Sequence, residues 1–117
     1  MKILYPDTRY LYQSKVNTPV RLFAKRFPEI PMYAFFFFSF HSTLKPEQFL
    51  YSLPYDFYKK YKIRKYGFHG ISHHYIYNQL KNLEKKTSKV ISCHLGGGAS
   101  ITAIKNGASF DTTMGFT

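Results

Sequence analysis

The segment best suited to chemistry is His94-Leu95-Gly96-Gly97-Gly98-Ala99-Ser100, which leaves one β-type run and enters another. Its glycines permit positive φ and close approach of a ligand, so that successive backbone N–H groups can cradle a phosphate. It is not a Walker loop, because no Lys-Ser/Thr follows and no helix opens there. Taken alone, such a cluster also suits a plain bend between strands. A second segment is Tyr66-Gly67-Phe68-His69-Gly70-Ile71-Ser72-His73. Its glycines flank an aromatic–imidazole pair and hold it on a tight loop at the entrance of a helix. An exposed His69 there can donate a hydrogen bond to an anion while Phe68 supplies an apolar wall. The bland alternative is a turn with a solvated histidine.

Strands and a helix must position these residues. Lys89 to His94 reads as a strand ending in the glycines, Ala99 to Ile104 as its partner, and Asn106-Gly107 as a hairpin turn before a returning strand, Ala108 to Thr112. From Ile71 to about Lys85, the residues Ile71, Tyr75, Ile76, Leu80 and Leu83 recur near helical spacing. Upstream, Pro46 and Pro54 open two short helical stretches, to about Ser52 and Tyr61, and Ile63 to Tyr66 suits a brief strand. Thr18 reads as the N-cap of a helix with Pro19 at its first position and an apolar face of Val20, Leu22, Phe23 and Phe27; Pro28 and Pro31 end it. Met32 to Phe38, aromatic without polar alternation, predicts a strand buried on both faces. Residues 1–17 show no clear period and read as irregular. The order is that of an α/β chain.

The 117 residues fit one domain, and twelve Phe and eleven Tyr offer ample area to bury. Seventeen Lys plus Arg against six Asp plus Glu give a formal charge of +11, which favours anionic partners: nucleotide phosphate, nucleic acid or an anionic surface. A single cysteine, Cys93, excludes an internal disulfide and points to a reducing, cytoplasmic compartment; it is expected to pack as a small hydrophobe. No signal peptide is apparent, and Met32 to Phe40 is too short to span a membrane. His73, His74, Cys93 and His94 lack a zinc spacing.

In combination the motifs say more. Arg64 to His73, then Cys93 to Ser100, Lys105-Asn106-Gly107 and Asp111 to Thr117 closely resemble the ordered motifs of the acetate kinase family. Phe40-His41 with Thr43, and Leu53-Pro54-Tyr55, fit as well. The resemblance covers residues 18–117, well under half of the family's usual chain, and leaves residues 1–17 without family likeness. It implies part of a ribonuclease H-like α/β fold of the actin, Hsp70 and sugar kinase type, spanning parts of two lobes. It also implies ATP- and Mg²⁺-dependent phosphoryl transfer to acetate or a short acyl relative, in a commonly homodimeric enzyme without a nucleic-acid or membrane partner. By resemblance, His69 stabilises the transition state, Phe68 lines the acetate pocket, and His94, Leu95, Gly96, Gly97 and Gly98 form the nucleotide-phosphate loop.

Departures from the family pattern bear on activity. Phe37 stands where the family carries its catalytic Asp, and Gly97 replaces an Asn. The family's N-terminal Mg²⁺ and phosphate residues have no counterpart in residues 1–17, and its arginines and C-terminal carboxylate are not recognisable. An incomplete, inactive fragment is therefore expected. A second reading is the non-catalytic remnant of a decayed or mis-framed gene. A third is a basic binder of nucleic acid or an anionic surface, because Lys59, Lys60, Lys62, Arg64 and Lys65 interleave with Tyr58, Tyr61 and Tyr66.

Overall fold

The computed structural model describes residues 2–3, 17–34, 37–84 and 86–116. Chain contacts divide them into two units, Met1–Phe36 and Phe37–Thr117. In the first, strand β1 (Lys2–Ile3) pairs in parallel with β2 (Tyr33–Ala34), Lys2 facing Tyr33 and Ile3 facing Ala34. Helix α1 (Asn17–Arg26) lies between them in the chain, with Pro19 in its first turn, where a missing N–H is tolerated, and Lys25 and Arg26 in its last, where the helix dipole favours cations. Lys2–Ile3 is extended where the sequence reads as irregular, and residues 4–16 lie outside the described residues.

The described residues of Met32 to Phe38 do not form the expected strand buried on both faces. Among them only Tyr33–Ala34 is extended, Phe37 and Phe38 sit in a turn, and Tyr33 and Phe37 are each 63% exposed. A strand buried on both faces needs a layer on each side, and among the described residues these two rings have none. Residues 35–36 lie outside the described residues.

In the second unit a 3₁₀ turn (Ser39–Thr43) leads to the short helices α2 (Pro46–Phe49) and α3 (Tyr55–Tyr61), then to α4 (Gly70–Leu83). Strands β3 (Lys89–Leu95), β4 (Ala99–Lys105) and β5 (Ala108–Thr112) follow as an antiparallel sheet in that order. The β4–β5 turn is the expected one: Asn106 and Gly107 take φ of 51° and 85°, as a tight right-twisting hairpin requires. Between Ala103 and Ile104 the register slips, which leaves Phe110 unpaired in a bulge. No strand forms at Ile63 to Tyr66. Lys62 turns the chain through a left-handed conformation, and Lys65 then donates to the Phe49 carbonyl (2.7 Å) and Tyr66 to that of Gly115 (3.2 Å).

The period-two rule puts Ser92 on β3, Ser100, Thr102 and Ile104 on β4, and Ser109 and Thr112 on β5 on the buried face of the sheet. Helix α4 offers Gly70, His73 and Tyr77 as its buried residues, at spacings of three and four. Its apolar residues Ile71, Tyr75, Ile76 and Leu83 are exposed. The buried apolar cluster is small, Phe40, Tyr77 and Ile104 with Val90 packed against it. Leu44 and Phe49 are buried apart from it; the other buried side chains among the described residues are hydroxyl or imidazole, and no described buried side-chain polar atom lacks a partner.

The outward face of the sheet carries Ile91, Cys93, Leu95 and Ile101. The expectation that Cys93 packs as a small hydrophobe is thus corrected. Strand alternation turns it outward between two exposed apolar neighbours, and its thiol is exposed.

Candidate active site

His69 is the N-cap of α4 and takes a left-handed conformation, φ 59° and ψ 15°. A residue with a Cβ pays roughly 1–2 kcal/mol there, so its neighbours must hold it. Gly67 (φ 72°) lies so close to the His41 ring that a Cβ would stand 2.6 Å from Cδ2. His41 is itself buried. Its Nε2 donates to the Phe68 carbonyl (3.0 Å), which leaves Nδ1 to accept from the Ser109 hydroxyl (2.8 Å). On the far side of His69, the Gly70 N–H donates to the Phe37 carbonyl (2.7 Å). The loop carrying Phe68 and His69 is thereby tied to the sheet and to the 3₁₀ turn. Burial pushes the His41 pKa below its usual value, against the backbone hydrogen bond, and nearby His69 lowers it further.

The glycine segment meets that loop. The His69 and His94 rings stack 14° from parallel with centroids 3.9 Å apart. His94 is anchored through Nδ1 to the Ser72 hydroxyl (3.0 Å), one turn into α4. A Cβ at Gly98 would lie 3.2 Å from His69 Nε2, and one at Gly96 would lie 3.5 Å from His94 Nε2. Both outer ring nitrogens thus face the glycines, while around Gly97 a Cβ would meet nothing within 4 Å. The His69 pKa is lowered by desolvation and by the charge of His94. A neutral His69 ring beside open backbone can donate to an anion's oxygen.

The other sequence candidates are distributed as follows. Phe68 is half-buried and lies beside His69. Leu95 is 81% exposed on the outer face of the sheet. Phe37 contributes its backbone carbonyl to the loop, and its ring is exposed. Asp111 pairs with Lys65 (2.9 Å) and accepts from the Thr112 N–H (2.8 Å), which ties β5 to the segment before Gly67. In the basic cluster, Arg64 lies 3.7 Å from the Phe49 ring centroid, Lys59 sits over Tyr55 and Lys62 over Tyr58, so cations and rings already engage one another. A groove of about 370 Å³ lies at the opposite end of the sheet, against Lys89, Ile91, Lys105 and Phe110.

Sequence reasoning gave no site role to His41, His73 or the serines. His73 sits four residues after His69, one turn along the same face of α4, and is 0% exposed. That spacing was the available signal. The neighbouring His74 points elsewhere, stacked on Phe40 with centroids 5.1 Å apart.

The second unit is thus an α/β arrangement in which the glycine-rich β3–β4 loop is faced by His69 at the start of α4 and by His94 at the end of β3. Comparison with known proteins makes the class particular. Residues 13–117 match the sequence profile of the Acetokinase family. The acetate kinase of Desulfitobacterium hafniense (strain DSM 10664 / DCB-2) is 54% identical over 96 residues, which are 80% of this chain and 24% of that one. Among solved structures, a propionate kinase from Francisella tularensis subsp. tularensis SCHU S4 superposes with a TM-score of 0.77 at 42% identity, over 86% of this chain and 26% of that one. An acetate kinase from Porphyromonas gingivalis gives 0.76 at 37% identity, over 84% and 25%. This chain belongs to the acetokinase family, and its fold is part of the ribonuclease H-like α/β fold expected for it. It spans about a quarter of the length of these relatives. Among the described residues, no helix is long and apolar enough to cross a membrane.

Proposed function

We propose that this chain is the histidine and glycine-loop portion of an acetate kinase, serving ATP-dependent phosphoryl transfer to acetate or another short carboxylate. One observation carries the reading: the outward Nε2 of His69 faces the glycine loop, within 3.2 Å of the place a Gly98 Cβ would take. In the transfer, the bond from the γ-phosphorus to its bridging oxygen breaks as a carboxylate oxygen bonds to phosphorus. ADP leaves with the electron pair, giving acetyl phosphate.

Charge spread over the equatorial oxygens needs donors fixed in place, and positioning with electrostatics supplies most of the rate. Here the donors are His69 Nε2–H and the backbone N–H groups of Gly97 and Gly98, the Gly96 N–H being engaged by the Gly98 carbonyl (3.2 Å). The stacked His94 ring limits the swing of His69, and Phe68 walls the acyl group. Magnesium would neutralise phosphate charge in such a reaction. Among the described residues no three His, Cys, Asp or Glu side chains gather to hold a metal ion, so the described donors do not fit it and no step here runs through it. The lone, unpaired Cys93 supports a cytoplasmic setting.

Phe37, in the position of the family's carboxylate, cannot accept a hydrogen bond or orient a polar group. The chain by itself is therefore expected to bind nucleotide without producing acetyl phosphate. Titrating the isotope-labelled chain with ATP should shift the amide signals of Gly96, Gly97 and Gly98 and the ring signals of His69 and His94. Saturating ATP with no shift at these positions overturns the phosphate-loop reading; sustained acetyl phosphate formation by the purified chain overturns its inactivity.

A further inference from the structure

Four side chains form an unbroken hydrogen-bonded file from the middle of the sheet to the site. The Ser92 hydroxyl lies 2.9 Å from His73 Nδ1, His73 Nε2 lies 2.8 Å from the Ser100 hydroxyl, and that hydroxyl lies 2.9 Å from His69 Nδ1. Ser92, His73 and Ser100 are 4%, 0% and 2% exposed. Two directions of donation satisfy the distances, and they leave opposite protons on His69.

Hydroxyl chemistry selects between them. A serine has one donor and two acceptor lone pairs. Among the described residues Ser92 Oγ has a single partner, His73 Nδ1. If Ser92 accepted from that nitrogen, its own proton would be buried without an acceptor, at a cost of about 1–3 kcal/mol. Ser92 therefore donates. His73 is neutral in this desolvated setting, among His41, His69 and His94, and must carry its proton on Nε2, from which it donates to Ser100. The Ser100 proton is then directed at His69 Nδ1. With Nδ1 accepting, a neutral His69 carries its proton on Nε2, the nitrogen facing the glycine loop.

We propose that Ser92, His73 and Ser100 are positioning residues that hold neutral His69 as its Nε2–H tautomer, so that the ring presents a donor to the phosphate loop. The consequence for phosphoryl transfer rests on the function proposed above, but the tautomer does not. The arrangement resembles a triad in logic, in that one ring is oriented and its proton assigned by groups behind it. Here the groups behind are hydroxyls and a second imidazole, with no carboxylate in the file.

The test reads the tautomer directly, by long-range ¹H–¹⁵N spectra of histidine rings in the full chain above pH 7, where His69 and His73 are neutral. Both His69 and His73 should show a protonated Nε2 and an unprotonated, hydrogen-bonded Nδ1. Ser100→Ala and Ser92→Ala should each raise the Nδ1–H share of His69 several-fold, and Ser92→Thr, which keeps the hydroxyl, should restore the wild-type spectrum. A purely structural role for the serines would leave the His69 tautomer unmoved. An Nδ1–H His69 in the wild-type chain overturns the proposal, as does a His69 tautomer left unchanged by Ser92→Ala or by Ser100→Ala. Should an alanine variant lose its fold, the wild-type tautomers of His69 and His73 decide alone. Failure to bind ATP would count against the proposed function and leave the ring spectra as they are.

Discussion

His73 combines full burial with three imidazole neighbours, and both of its nitrogens are engaged by serines. Desolvation first, then the charges of His41, His94 and His69, lowers its pKa from 6.5 to about 4. Because the unfolded chain binds this proton more readily, unfolding takes up protons between those values and stability rises with pH across that window. The contribution of His73 is fully present above about pH 6.5 and is lost progressively as pH falls through 6.5 towards 4. The loss is about 3 kcal/mol from this residue alone, and His41 and His69, also lowered, act with the same sign. Urea unfolding at pH 7.5 and at pH 4.5 should show a clearly lower midpoint in acid. Equal midpoints would mean that these rings are charged in the folded state.

The loop from Gly67 to Gly70 is held by close approach. Gly67→Ala must place a Cβ against the His41 ring at a positive φ, so it is expected to destabilise by about 2 kcal/mol or more. Gly97→Ala, in open space, is expected to stay within about 0.5 kcal/mol of wild type. Urea midpoints of the two variants check the contrast, and similar values would show that the His41 contact yields easily. The sheet itself was legible in advance, because Asn106-Gly107 admits few turn types and β3 to β5 lie where the runs between glycines predict. What those strands and α4 bury was not. Ile71, Tyr75, Ile76 and Leu83 have helical spacing yet are exposed, while His73 is interior because the sheet offers Ser92 and Ser100 to its two nitrogens. Periodicity records apolar positions and has no means of seeing a hydrogen-bonded interior. The aromatic run near Phe37 misled for a related reason: ring density predicts burial only where another layer exists.

Over the whole chain, the site is legible as a set of ordered motifs and as geometry only once folded. His69, His94 and the glycines are named by sequence and brought together by the β3–β4 loop and the start of α4. Leu95 is carried away from them on the outer sheet face, because strand alternation outweighs adjacency in sequence. The interior described above also governs how stability depends on temperature. Exposing apolar area on unfolding raises the heat capacity, and exposing polar area lowers it. Here the apolar rings and aliphatic chains on the outer surfaces are hydrated in both states, and much of what unfolding newly wets is serine, threonine and histidine. Calorimetry should therefore find a heat-capacity increment below the usual 12–15 cal/mol/K or so per residue, and a flat stability curve in which cooling neither helps nor harms the chain by much. An increment of ordinary size would indicate that the outer apolar faces are dry in solution.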